Sequence, residues 1–199
     1  MKVLTALLLA LAAVMGGLLA YRTYAPAALH GTALEVPHPL GHVTLLRDDA
    51  RLADLADSGG KRRLIFFGYT RCPDVCPVTL GVLARAWDSL SADQKAKLEV
   101  QFVSVDPAFD RPTVLRRYLD AFSLDFRGYT GRKAGSMTDV QAAEKSLYVY
   151  AADGGTPGTL IHGDGVALVD RSGHFVRVYN NQAVTRGDLT ADLPRLLRE

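Results

Sequence analysis

The only two cysteines of the chain, Cys72 and Cys76, lie four residues apart in the stretch FFGYTRCPDVCPVTL (66–80), and each is followed by a proline. Two thiols at this spacing can form a structural disulfide, work as a redox pair, or supply two ligands to a metal ion. A helical turn between them would place their Cα atoms roughly 6 Å apart on one face, which permits all three chemistries. Pro77 disfavours helical geometry at Cys76, so the spacing alone does not choose among them.

The segments around the cysteines have the order of a βαβ unit. RLIFFGY (63–69) is a continuous apolar run, typical of a strand buried on both faces of a parallel sheet. Helical periodicity follows in VTLGVLARAWDSL (78–90), and LEVQFVSV (98–105) is the next strand. The cysteines are therefore predicted at the carboxyl end of a strand and the start of a helix. α/β folds place their sites there, and the helix dipole favours a thiolate.

The rest of the chain predicts a mixed sheet. The further predicted elements are a strand at HVTLLR (42–47), a short helix at ARLADLAD (50–57), a helix from Pro112 through TVLRRYLDAF (113–122), a hairpin of VALVD (166–170) and HFVRVY (174–179), and a last helix near 188–197. Parallel strands joined by a helix, then a late hairpin and a helix, predict an α/β fold. It is a thioredoxin-like mixed sheet flanked by helices, and it occupies residues 40–199.

The N-terminal segment predicts export. After Lys2, residues 3–20 are apolar or glycine apart from Thr5, and as a helix they would span roughly 27 Å. We interpret residues 1–24 as a transmembrane anchor or a signal segment, since APA (25–27) resembles a cleavage site. Residues 25–39, which contain three prolines, are predicted to be a linker. Lys2 and the free amine keep the N-terminus in the cytoplasm. The expected location is the inner membrane, single-pass, with the domain facing the periplasm, where disulfides persist.

The composition argues against several roles for the cysteines and against nucleic-acid binding. With 199 residues and 48% hydrophobic content, the chain can bury a core without a disulfide. A disulfide across so short a loop would add only about 2 kcal/mol, and a structural zinc site needs four ligands where only two thiols exist. The 23 basic and 21 acidic residues are dispersed, so nucleic acid is not an expected partner. Redox chemistry and metal chemistry remain.

A third ligand would separate these two possibilities. Of the five histidines, His162 follows a Gly/Pro-rich loop and lies between that loop and a core strand, in a glycine-flanked segment whose backbone can approach a neighbouring loop. The other four are explained as linker, strand-start or turn residues: His30, His38, His42 and His174. His162 is therefore the candidate third ligand, although an isolated histidine is more often a solvated loop residue.

GYTRCPDVCPVTL, VSVDPAFDRPTVLRRYLDAF, FRGYTG and IHGDGVALVDRSGHFVRVY resemble the successive motifs of the Sco/SenC family of membrane-anchored, copper-binding, thioredoxin-like proteins. The resemblance covers roughly residues 40–198. It implies that Cys72, Cys76 and His162 bind copper, with His162 eight residues before the hairpin-turn Asp170. One departure is Ile161, which stands where the family usually has an acidic residue. Asp74 and Asp106 match family positions beside the site, and each is also explained as a turn or strand-end residue.

The resemblance implies a copper metallochaperone for the dinuclear copper centre of cytochrome c oxidase, with the oxidase's copper-accepting subunit as partner. Thiolates favour Cu(I), and an added imidazole tolerates Cu(II), so two cysteines and His162 suit copper in both redox states. The alternative function is a thiol-disulfide oxidoreductase in which Cys72 and Cys76 are the catalytic pair and reduce the cysteines of that centre or of other exported proteins. A dedicated thioredoxin would use C-x-x-C instead. A peroxidase relative or a copper-responsive sensor on the same fold is a third possibility.

Overall fold

The computed structural model describes residues 2–24, 28–149, 151–153 and 160–198. Its first helix, α1, runs over Lys2–Tyr24. The window Val3–Arg22 has a mean hydropathy of 2.5, and none of it is buried against the rest of the protein. Length and composition make α1 a candidate membrane span, and a signal sequence at the N-terminus would look the same.

The remaining described elements are ten strands and six helices. The strands are β1 (Thr32–Pro39), β2 (Thr44–Arg47), β3 (Leu52–Asp54), β4 (Arg62–Gly68), β5 (Leu98–Ser104), β6 (Arg127–Thr130), β7 (Ala151–Asp153), β8 (Leu160–His162), β9 (Val166–Val169) and β10 (His174–Tyr179). The helices after α1 are α2 (Val75–Asp88), α3 (Ala92–Ala96), α4 (Pro112–Asp120), α5 (Thr138–Ser146), α6 (Asn181–Arg186) and α7 (Asp188–Leu196).

Eight strands form one mixed sheet in the order β1-β10-β9-β4-β5-β6-β2-β3. The central strands β4, β5 and β6 are parallel, and the other neighbours are antiparallel. β7 and β8 pair as a separate hairpin, which we call the β7–β8 hairpin. Because β4 lies in the middle of the sheet, its carboxyl end is flanked by strands on both sides and by the helix that follows it.

The core consists of two clusters on opposite faces of the sheet. Leu64 and Phe66 of β4 pack in one cluster, with apolar residues of α2, α4, α6 and α7. Ile65 and Phe67 point the other way and pack with α5. This alternation explains why the sequence of β4 is apolar without a break, since both faces of the strand are buried.

Two segments differ from the sequence-based expectation. The predicted linker over 25–39 contains β1, which pairs antiparallel with β10 at the edge of the sheet. The predicted helix over 50–57 is wrong, because β3 pairs with β2 there. Leu52 and Leu55 have helical spacing, but Leu52 is 64% exposed and Leu55 only 2%, so they do not share a buried face. The βαβ unit, the β9–β10 hairpin and the last helix are as predicted.

Candidate metal centre

The two cysteines lie in the turn between β4 and α2. β4 ends at Gly68 and α2 begins at Val75, so Cys72 belongs to the connecting loop and Cys76 to the first helical turn. The backbone amide of Cys76 donates to the Cys72 sulfur at 3.4 Å. No disulfide joins the two sulfurs. The structure therefore brings both predicted cysteines together at the carboxyl end of the central strand, as the sequence indicates.

The two thiols differ in exposure. Cys76 is fully buried, whereas Cys72 is half-buried and contacts both core clusters at the carboxyl end of β4. Burial raises the pKa of the Cys76 thiol. The helix dipole at the start of α2 was expected to favour a thiolate. At Cys76 the desolvation of the sulfur outweighs the effect of the dipole. A metal cation bound to the sulfur would offset the cost of burying the thiolate charge. The thiol would then lose its proton as the metal binds.

A buried carboxylate fixes the loop that carries Cys72. Asp110 accepts hydrogen bonds from the Thr70 amide at 2.9 Å, the Thr70 hydroxyl at 2.5 Å and the Ser104 hydroxyl at 2.6 Å. Burial raises the pKa of Asp110, and the bonds from Ser104 and Thr70 partly oppose that rise. Asp110 thereby joins the loop to the end of β5. In the sequence, Asp110 is marked only by its place in the segment VDPAFD (105–110), which follows β5. The contact with Thr70 is not predictable from that place.

The two aspartates that the motifs placed beside the site have different surroundings. Asp106 is buried and forms an ion pair with Arg71 at 2.5 Å, and the Arg71 guanidinium lies 4.5 Å from the Phe109 ring centroid. Asp74 is exposed at the N-cap of α2, and its side chain makes no capping hydrogen bond. Asp106 therefore orients the loop through Arg71, and Asp74 stands at the turn before α2.

His162 is the last residue of β8, and its Cα pairs with that of Ala151. The amide of Leu160, two residues earlier, donates to the Tyr69 hydroxyl at 3.3 Å. Tyr69 is buried and directly follows β4, three residues before Cys72. The β7–β8 hairpin is thus attached to the cysteine loop. At about 3.3 Å per residue, the His162 backbone lies roughly 7 Å along β8 from this contact.

The imidazole of His162 lies outside the part of the chain that the structure describes, so its role as a ligand stays a prediction. Among the described side chains, no group of three His, Cys, Asp or Glu residues is close enough to hold a metal ion. Asp170, which the motif spacing relates to His162, accepts hydrogen bonds from the amides of Ser172 and His174, both at 2.9 Å. It closes the β9–β10 turn.

Gly68 leaves room for the Cys76 sulfur. A Cβ atom at Gly68 would lie 2.7 Å from Cys76 Sγ and 2.8 Å from Phe102 Cε2, both buried. We expect Gly68→Ala to destabilise the reduced, metal-free protein by about 1–3 kcal/mol, because overpacking forces the sulfur or the ring to move. Chemical denaturation measures the free energy of unfolding of the variant and of the parent.

Gly81→Ala is the matched control for that variant. A Cβ at Gly81, inside α2, meets its nearest atom at 3.7 Å, which is an ordinary contact. Alanine there should stabilise the protein by about 0.4–1 kcal/mol. Equal stabilities of Gly68→Ala and the parent would contradict the close packing of Gly68 on Cys76.

Comparison with known proteins gives consistent matches to one family. The SCO1/SenC family model matches residues 34–198. Protein SenC of Rhodobacter capsulatus is 33% identical over 146 residues, which are 72% of this chain and 64% of that protein. The chain spans about half or less of the length of several other curated relatives that it matches.

Two solved structures share the fold. Apo Sco1 from Thermus thermophilus superposes with a TM-score of 0.74 at 34% identity, over 86% of this chain and 99% of that one. ScoI of Bradyrhizobium japonicum, solved with copper bound, gives a TM-score of 0.68 at 30% identity, over 79% of this chain and 99% of that one. These matches confirm the predicted thioredoxin-like fold.

Proposed function

This chain belongs to the SCO1/SenC family, and we propose that it is a membrane-anchored copper metallochaperone. It binds copper through Cys72, Cys76 and His162 and delivers the metal to the dinuclear copper centre of cytochrome c oxidase. The observation that carries the proposal is the pair of sulfurs, not joined by a disulfide, on one turn at the end of β4, beside a hairpin that ends in His162. The similar Bradyrhizobium protein has been solved with copper bound.

The donor set suits copper in both of its oxidation states. Two thiolates prefer Cu(I), and an imidazole adds a donor that Cu(II) accepts. The unequal exposure of the sulfurs supports transfer by ligand exchange: a recipient's thiol approaches from the side of half-buried Cys72, while buried Cys76 holds the ion last. Copper then passes between proteins without entering water.

The proposed location follows from α1. This helix anchors the protein in the inner membrane, with Lys2 on the cytoplasmic side and the domain in the periplasm. β1 begins at Thr32, only a few residues after α1 ends at Tyr24. This short connection holds the cysteine-bearing domain near the membrane surface, where a membrane-embedded oxidase presents its copper-accepting subunit.

A thiol-disulfide oxidoreductase is the second candidate function. The observation that favours it is the same difference in exposure between the two thiols. An accessible thiol that attacks a partner's disulfide, followed by a buried thiol that resolves the mixed disulfide, is the usual arrangement for such exchange. This function does not require His162.

Copper uptake tests the metallochaperone proposal. The reduced full-length protein in detergent should take up one copper ion per chain in competition with a chelator of moderate affinity, and Cu(II) should produce a thiolate-to-copper absorption band. Protein oxidised to the Cys72–Cys76 disulfide is the control and should bind no Cu(I), because its sulfurs are no longer thiolates. If the reduced protein leaves all copper on the chelator, the proposal fails.

A further inference from the structure

The side chain of Tyr118, on α4, lies near the cysteines and has a polar atom without a partner. Its ring packs against the rings of Phe102, at a centroid distance of 5.9 Å, and Phe122, at 5.4 Å. Its hydroxyl oxygen is fully buried, and no group in the described part of the chain forms a hydrogen bond with it. Buried hydroxyl groups are nearly always bonded, so an exception requires an explanation.

Tyr118 and the Cys76 sulfur share Phe102 as a neighbour. A Cβ at Gly68 would touch both Cys76 Sγ and the edge of the Phe102 ring, so these two groups are neighbours. Tyr118 packs on the same Phe102 ring, and both Tyr118 and Cys72 border this core cluster. A tyrosine hydroxyl carries a proton at neutral pH, so that of Tyr118 is available as a hydrogen-bond donor.

We propose that the Tyr118 hydroxyl donates a hydrogen bond to the Cys76 sulfur when that sulfur is a copper-bound thiolate. A protonated thiol is a weak acceptor, whereas a thiolate is a strong one, so the bond forms on metal binding. The inference rests on the proposed function, and it makes Tyr118 a positioning residue that acts on the metal through Cys76.

This hydrogen bond should affect the absorption spectrum and the affinities of the bound copper, and not the fold. A hydrogen bond withdraws electron density from the thiolate, which favours Cu(I) over Cu(II) and raises the energy of the thiolate-to-copper transition. In Tyr118→Phe the Cu(II) absorption band should therefore move to longer wavelength. The ratio of Cu(I) to Cu(II) affinity should fall by about tenfold, with one copper ion still bound per chain.

Tyr129→Phe is the matched control. Tyr129 lies in the cluster on the other face of the sheet, and its hydroxyl accepts from Gln101 and donates to Glu99, each at 3.2 Å. Without metal, Tyr118→Phe should melt at or above the temperature of the parent, because its hydroxyl has no bond to lose and burying an unbonded hydroxyl is unfavourable. Tyr129→Phe should melt lower and leave the copper spectrum unchanged.

These measurements use the full-length protein in detergent, with copper as the only added ligand. A Tyr118→Phe spectrum and affinity ratio equal to those of the parent would overturn the inference while leaving the proposed function intact. A drop in the melting temperature of metal-free Tyr118→Phe would also overturn it, since the hydroxyl would then be bonded without copper. A parent protein that binds no copper would overturn both the proposed function and the inference.

Discussion

Replacing Cys72 with serine should abolish binding of both copper states. The serine hydroxyl stays protonated at neutral pH and is a hard oxygen donor, so Cu(I) loses one of its two soft ligands and Cu(II) loses its charge compensation. Loss of this thiolate should exceed the effect of losing an outer hydrogen-bond partner, which is about 10–100-fold in affinity. Competition with a chelator, using each copper state in turn, measures the loss.

Cys72 is the better position for this substitution, because it is half-buried while Cys76 is fully buried. The metal-free Cys72→Ser protein should therefore unfold at nearly the parent's temperature. Cys76→Ser should lose copper equally, but it also places a hydroxyl under Gly68 in an apolar site. Parent-like affinity for both copper states in Cys72→Ser would remove this residue from the metal site.

Replacing His162 with alanine should weaken Cu(II) binding much more than Cu(I) binding. Two thiolates can still hold Cu(I) in a linear site, but Cu(II) requires the additional nitrogen donor. We expect a loss on the order of 100-fold for Cu(II) and less than about tenfold for Cu(I), measured by the same chelator competition. Equal losses for the two states would contradict the assignment of His162 as the third ligand.

His174→Ala is the matched control for that variant. β4 runs antiparallel to β9, with Phe66 opposite Val166 and Arg63 opposite Val169. The β9–β10 turn, which His174 borders, therefore lies at the opposite end of the sheet from the cysteines. Removing its imidazole, which lies 3.6 Å from Asp170, should leave both copper affinities unchanged.

The sequence predicts the central part of the fold well and its edges poorly. A buried strand such as β4 is apolar throughout, and that run is visible without any knowledge of its neighbours. β1 contains Pro37 and Pro39 and is largely exposed, so it resembles a linker until β10 is available to pair with it. β3 has only three residues, too few for its alternation to be distinguished from helical spacing.

The candidate site was also predictable only in part. The positions of Cys72 and Cys76 follow from local order, a strand followed by a helix. The groups that orient them come from distant parts of the chain: Asp110 bonds Thr70 across 40 residues, and Tyr69 bonds Leu160 across 91. Tyr118 is a further example, because the helical pattern of α4 predicts only that its ring faces the core. Such contacts depend on how the elements pack, which local sequence does not specify.

Burial also reverses one expectation that is based on local structure. A thiol at a helix start is expected to ionise easily, but Cys76 is buried under Gly68 and beside Phe102, and its pKa rises. The degree of desolvation at one side chain depends on the whole core around it. For this reason the position of the cysteines was predictable and the difference between them was not.

Cells that carry only the His162→Ala variant show whether this protein delivers copper to the oxidase. The measurement is the copper content of the dinuclear centre of their cytochrome c oxidase, together with the thiol-disulfide potential of the purified metal-free variant. We predict an oxidase that lacks this copper and a potential within about 30 mV of the parent's, which corresponds to about 1.4 kcal/mol. A fully assembled copper centre in these cells would contradict copper delivery through His162 and favour thiol reduction by Cys72 and Cys76.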